Sequence, residues 1–254
     1  MQLQELLFSQ GFGTRRVCAG LIQHGHVTVD GQAVTDAGCD IEAQEGLRYT
    51  VQGKNWEFHA KAYVLLNKPA GTECSQKPST WPSVYTLLPD PLRQRPVKGG
   101  VDGVQAVGRL DQDTTGLLLL SDDGKFLHRM ASPRHHVPKV YEAEVKHPLD
   151  EAQLGRLREG VVLDDDPRPV RALAADRLDE RRLQLTLDEG KYHQVKRMVA
   201  AAGNRVEALC RTRIGDLQLP VGLAPGQWRW LTAAEVESLF LVKKVAPKSS
   251  SAGG

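Results

Sequence analysis

Two short, largely apolar runs, Val104–Leu110 and Leu117–Leu120, flank a polar turn, Asp111-Gln-Asp-Thr-Thr-Gly116. Runs of this length beside Gly and Asp read as buried strands, although periodicity alone does not exclude helix. Side chains alternate along a strand, so Arg109 and Asp111 are expected to face the same way where the first run leaves the core. A carboxylate there is placed for chemistry. Asp and Thr in such turns often cap backbone N–H groups, and spacing alone favours that structural role.

Length and charge bound the rest. The 254 residues allow one large domain or two unequal ones, each with ample core. The net charge of +2 produces no global field for a polyanion, so any nucleic-acid surface has to come from local clusters. Cys18, Cys39, Cys74 and Cys210 are far apart with no CxxC spacing, which excludes a zinc ribbon and points to free thiols. No stretch approaches the ~20 apolar residues of a membrane span. Met1-Gln-Leu-Gln-Glu5 lacks the basic start of a signal peptide, so a cytoplasmic location is expected.

Residues 1–52 read as a small unit. Leu3, Leu6 and Leu7, then Val17 and Leu21, fall at helical spacing, with Thr14 as N-cap of the second helix. Asp30-Gly31 between Val27–Val29 and Gln32–Val34 is a type I′ hairpin signal. A polar stretch without period, 53–61, reads as a linker. The second unit, 62–241, opens with a strand at Ala62–Lys68 that ends in Asn67-Lys68-Pro69. Lys98-Gly99-Gly100 reads as a loop near the mouth of the site. Ser132-Pro-Arg-His-His-Val-Pro-Lys139 gathers Arg134, His135, His136 and Lys139 in a loop suited to phosphate. Adjacent histidines cannot converge on one metal from one regular element, so no metal site is expected. Asp164-Asp-Asp166 would repel a polyanion and is expected away from the binding surface. A helix over Tyr192–Ala202 buries Val195, Met198 and Val199 and turns His193, Lys196 and Arg197 to the other face. Thr232-Ala-Ala-Glu235 forms a capping box ahead of a last helix. Residues 242–254, rich in Lys, Pro, Ser and Gly, read as a disordered tail.

These motifs together carry a resemblance. Gly108-Arg-Leu-Asp-Gln-Asp-Thr-Thr-Gly-Leu117 resembles the signature of the RNA pseudouridine synthases, in the branch with an N-terminal S4 RNA-binding module. Two helices and a hairpin, with Thr14-Arg15-Arg16 opening the second helix, resemble that module. Glu189-Gly-Lys-Tyr-His-Gln-Val-Lys-Arg-Met198 resembles the family's third motif. The resemblance covers residues 1 to about 240 and implies an α+β fold: an S4-type module followed by a mixed, mainly antiparallel sheet with flanking helices. It implies that Asp111 is the catalytic residue, Lys196 its basic partner and Tyr141 the active-site tyrosine. Leu209 then packs beside the base, Arg109 fills the space of a flipped nucleotide or holds a phosphate, and Asn67-Lys68-Pro69 supports the catalytic loop. Arg15, Arg16, Arg134, His135, His136, Lys139, His193, Arg197 and Arg211 are the expected RNA contacts. Neither cofactor nor metal is implied, because the reaction rearranges one nucleotide.

Ser132-Pro-Arg-His-His136 and Leu223-Ala-Pro-Gly226 look most like the members acting on small-subunit rRNA, which implies uridine 516 of 16S rRNA as target, in free RNA or a precursor particle. Large-subunit rRNA is the alternative. A monomer is expected. Two other classes remain: a non-catalytic S4-type RNA-binding factor, indifferent to loss of Asp111, and a glycosidase pairing Asp111 with Asp113, which would release free uracil. In the synthase reading Asp113 caps the turn.

Overall fold

The computed structural model describes residues 1–132 and 135–241. Helices α1 (Leu3–Ser9) and α2 (Arg15–Gln23) pack through Leu3, Leu6, Leu7, Cys18 and Ile22, which are fully buried. The Thr14 hydroxyl accepts a hydrogen bond from the Val17 N–H at 3.3 Å, capping α2 as its position predicts. Strands β1 (Val27–Val29) and β2 (Gln32–Ala33) turn through Asp30-Gly31, with φ of +48° and +82°, the left-handed pair a type I′ turn requires. β3 (Arg48–Val51) and β4 (Lys54–Glu57) complete a sheet of order β2-β1-β3-β4. β4 falls inside the stretch read as a linker. Lys54-Asn-Trp-Glu57 has no apolar alternation to announce it; its ladder to β3 holds it in place, and Phe58 beyond it is buried in the same core.

The second part begins with β5 (Tyr63–Lys68), a 3-10 turn at Val84–Leu87, α3 (Asp90–Gln94), β6 (Gln105–Ala106) and β7 (Thr115–Ser121). Then come α4 (Gly124–Ala131), β8 (Lys139–Val145), α5 (Glu151–Glu159) and the hairpin β9 (Val161–Leu163) with β10 (Asp166–Val170). β11 (Ala174–Arg177), β12 (Arg182–Leu187), α6 (Gln194–Ala201), β13 (Val206–Ile214), β14 (Leu217–Gln218), β15 (Trp228–Trp230) and α7 (Ala233–Leu241) follow. The main sheet runs β11-β12-β8-β13-β7-β5-β15, with β14 on β13 and β6 on β7. Every pairing in it is antiparallel except β13 with β7, so the sheet is mixed and mainly antiparallel, as expected.

The apolar run Leu117–Leu120 owes its continuity to burial on both faces. Leu118 and Leu120 join Val64 and Leu66 in one core, while Leu117 and Leu119 join Leu65 and Phe126 in another. The run before the turn behaves differently. Only Gln105–Ala106 pair with β7, opposite Ser121 and Leu120, and the Val107 N–H adds one bond to the Leu119 carbonyl. Farther along, the same edge of β7 belongs to β13, through Thr115–Cys210 and Gly116–Arg211. The ladder therefore cannot continue, and residues 107–114 form a loop in which Gly108 turns at φ +68°. The expected strand through Arg109 is absent. Gly116, at φ +98°, permits the close pairing: a Cβ there would lie 2.3 Å from the Arg211 carbonyl oxygen.

Thr232 and Glu235 exchange capping-box bonds at the start of α7, and Arg229 holds the Glu235 carboxylate at 2.7 Å. Among the described residues no helix is long and apolar enough to cross a membrane.

Candidate active site

A fully buried lysine holds the loop that carries Asp111. Lys68, at the end of β5, donates from Nζ to the carbonyls of Pro69 (3.0 Å), Gln112 (3.2 Å) and Thr114 (2.9 Å). Burial pulls its amine below the ordinary lysine range, opposed by Cys74 and by the carboxylates of Asp113 and Asp111. The Gly71 N–H also bonds the Gln112 carbonyl at 2.8 Å, and the Thr114 N–H closes a turn on the Asp111 carbonyl at 3.1 Å. The loop is thus tied down from below, and the Asp111 carboxylate points into a cleft.

Two groups reach that carboxylate. Lys196 on α6 places Nζ 3.2 Å from Asp111 Oδ2, and His193 places Nε2 3.3 Å from Oδ1. Lys196 also bonds Asp113 Oδ1 at 2.7 Å. Asp113 is therefore a partner of the lysine rather than the turn cap expected of it. Burial raises the Asp113 carboxyl, yet the bond and charge from Lys196 outweigh it and the net shift is downward. Burial likewise lowers the Lys196 amine, but its two carboxylate partners carry it above the ordinary value. His193 is not on the helix. It caps α6 in the left-handed conformation, φ +47°, which turns its ring back onto Asp111.

The cleft has two lobes that share Arg109, Leu110, Asp111, Gly190, Lys191 and His193. The inner one, about 80 Å³, lies between Tyr141 on β8, Leu209 on β13, Leu187 and Lys196. The outer one, about 340 Å³, extends past Glu73, Cys74, Gln112 and Tyr192. Tyr141, Leu209, Lys196, His193 and Arg109 thus converge on Asp111 from separate parts of the chain.

The other expected contacts disperse. Arg211 is only 3% exposed; its Nε donates to the Leu117 carbonyl at 2.8 Å, so it braces β7 instead of meeting RNA. Arg197 pairs with Asp165 and donates to the Tyr192 carbonyl at 3.2 Å. The acidic run expected far from the binding surface therefore lies against α6, drawn there by that arginine. His136 bonds Asp188 at 2.8 Å, and neither it nor half-buried His135 lines the cleft. Burial, reinforced by Arg211 and opposed by Asp188, pushes the Lys139 amine down to about 8. Arg15 and Arg16 are exposed on α2, with Arg15 over the Phe8 ring at 4.3 Å. Arg134 and the tail 242–254 lie outside the described residues. The loop 98–100 is not at the mouth of the site; its segment folds back on α3, where the Gly103 N–H bonds the Arg95 carbonyl at 2.7 Å.

Sequence reasoning missed Asp113 as a lysine partner and gave Tyr192 no role. An Asp and a Lys 83 positions apart leave no local signal of pairing. An exposed tyrosine at a helix start does leave one.

A mainly antiparallel sheet carries a carboxylate–lysine pair in a central cleft, and a small helix–hairpin module precedes it. An RNA pseudouridylate synthase model matches residues 62–201, and an S4 domain model matches residues 1–43. The ribosomal small subunit pseudouridine synthase A of Yersinia pestis is 37% identical over 239 residues, covering 94% of this chain and 98% of that protein. The protein of the same name from Escherichia coli (strain K12) is 36% identical over 240 residues, covering 94% and 100%. A crystal structure of a pseudouridylate synthase superposes with a TM-score of 0.64 at 33% identity, covering 94% of this chain and 99% of that one. The chain belongs to the RNA pseudouridine synthase family and is an RNA pseudouridine synthase with an N-terminal S4 domain.

Proposed function

We propose that this enzyme isomerises a uridine of small-subunit rRNA, uridine 516 of the 16S molecule, with Asp111 as nucleophile. The carrying observation is Lys196 Nζ at 3.2 Å from Asp111 Oδ2, at the junction of a cleft walled by Tyr141 and Leu209. The target nucleotide leaves its stack, which costs a few kcal/mol, and its uracil enters the inner lobe against Tyr141 and Leu209. A carboxylate oxygen of Asp111 attacks C1′ of the ribose or C6 of the base. The N1–C1′ bond breaks, the base turns, and C5 bonds C1′; the bond from Asp111 to C1′ or C6 breaks in turn and frees the carboxylate, the C5 proton leaves to solvent, and N1 takes up a proton. Tyr141, in the wall of the inner lobe, takes part in removing that proton, and Lys196 supplies the counter-charge to Asp111. No atom enters from outside, so these residues suffice for the rearrangement. The relatives named for the small subunit support the choice of RNA. Arg15 and Arg16 on the S4 module bind backbone phosphates away from the cleft.

Release of tritium from C5 of labelled uridine in a 16S transcript measures the reaction directly. Asp111→Asn should abolish release while RNA binding stays within about twofold of wild type; substantial residual turnover removes Asp111 from this role. Pseudouridine mapping in rRNA from a strain lacking the protein should show loss of one site, in 16S rRNA. Loss from the large-subunit RNA instead moves the substrate there and leaves the chemistry intact.

A further inference from the structure

The outer lobe has no part in the chemistry above, yet it opens onto the same carboxylate and is more than four times the volume of the inner one. Its size falls within the range of about 300–1,000 Å³ typical of small-molecule sites. One wall is an aromatic stack. The Tyr192 ring lies 3.8 Å from the His193 ring, inclined by 20°, and His193 in turn touches Asp111. The far face of Tyr192 is open: the residue is 71% exposed, while Tyr49 and Tyr85 are buried and Tyr63 and Tyr141 half-buried.

This corner is built rather than loose. A non-glycine residue in the left-handed region is strained and persists only where surrounding bonds over-determine it. Here they do. The Lys191 N–H donates to Gln194 Oε1 at 2.8 Å, Arg197 donates to the Tyr192 carbonyl at 3.2 Å, and the Arg197 N–H bonds the His193 carbonyl at 3.0 Å. The acid in the opposite wall is already engaged: the Glu73 carboxylate accepts the N–H groups of Ser79, Thr80 and Trp81, between 2.9 and 3.1 Å. Arg109 is exposed at the junction of the two lobes. A flat ring with one face free, beside an arginine, is the chemistry that holds a nucleobase by stacking and its phosphate by charge.

We propose that the outer lobe is a second nucleotide subsite, in which the base adjacent to the target uridine stacks on the open face of Tyr192. This rests on the reading that the target uracil occupies the inner lobe. The two lobes meet at Asp111, so a strand with its target base in the inner lobe continues past that carboxylate into the outer one. The stack of base, Tyr192 and His193 then couples the position of the neighbouring nucleotide to Asp111, as a grip that accepts any base at that place.

The test uses the full chain, an unmodified 16S transcript labelled at uridine C5, and the variants Tyr192→Ala, Tyr192→Phe and Tyr192→Trp. Stacking on an aromatic side chain predicts that Tyr192→Ala raises KM about five- to 150-fold with kcat within about threefold, and that Phe and Trp restore KM. Because the side chain is exposed, thermal melting should be unchanged. An unaltered KM in Tyr192→Ala overturns the subsite. So does Phe failing like Ala, which would assign the effect to the hydroxyl, or a fall in kcat alone, which would make Tyr192 a support for His193. Filter binding of the same transcript to Asp111→Asn, with and without Tyr192→Ala, reads the subsite without turnover: a matching loss of affinity sustains it and equal affinity overturns it. Failure of wild-type enzyme to release tritium from this transcript counts against the proposed substrate alone, and the comparison is then read on the large-subunit transcript.

Discussion

Lys68 shows how far a residue's role can lie from its charge. Among the described residues the ammonium makes no ion pair; it gathers three carbonyls and fixes the path of the loop above it. Lys68→Met would fit the buried strand but take from the Thr114 carbonyl its donor, at about 1–3 kcal/mol for a buried unsatisfied group, while the Pro69 and Gln112 carbonyls keep the Thr72 hydroxyl and the Gly71 N–H. The expected outcome is a lower melting temperature together with a loss of kcat larger than any change in KM, read by calorimetry and C5 tritium release. Gly116 belongs to the same scale, since any side chain there collides with the Arg211 backbone. What was legible at this scale was a juxtaposition carried by motifs: Asp111, Lys196 and Tyr141 line one cleft, while the roles given to them rest on the family resemblance. What was not legible was geometry between distant positions. Asp113 looks like a turn cap until Lys196 is placed beside it, and Arg211 looks like a phosphate ligand until β13 carries it inside.

Elements were legible where burial was uniform and illegible where a neighbour decided the outcome. Leu117–Leu120 reads as a strand because both its faces are covered. The run before it does not continue as one because β13 takes the edge it would need, and β13 begins almost a hundred residues later. β4 escaped notice for the opposite reason, being held by ladder bonds with little burial. On β8, Lys139 offers a test of local electrostatics. Its folded value of about 8 lies below the ordinary lysine value, so between those limits the unfolded chain binds more protons. Stability should therefore rise as pH goes from about 8 to 10.5, and Lys139→Met should flatten that rise in denaturant unfolding measured across the window.

At the scale of the molecule, a buried network joins the S4 module to the catalytic domain. Arg95 donates to Asp122 at 2.6 Å, to Gln10 Oε1 at 2.8 Å and to the His59 carbonyl at 2.7 Å, and both side-chain partners are buried. Arg95→Met strands the Asp122 carboxylate and should cost about 3–5 kcal/mol in denaturant unfolding; Asp122→Asn in the same chain should recover part of it. Removing residues 1–50 would cut β3 and break this network. The module's contribution is better read from Arg15→Glu with Arg16→Glu, which should weaken binding to a 16S transcript and lower its salt dependence, with kcat unchanged at saturating RNA. The two-unit plan was visible in the sequence, but the junction was not, because its members sit at positions 10, 59, 95 and 122 and none stands in a motif.

The lone parallel pairing in the main sheet, β13 with β7, divides the groups proposed for catalysis. Asp111 hangs from one side of it, while Tyr141, Leu209 and Lys196 belong to the other. The reactive geometry is thus an alignment across a seam two residue pairs long, far from the outer margins at β11 and β15. Those margins are where the architecture can lengthen, gain an appendage or take on a new docking partner while its chemistry stays in register.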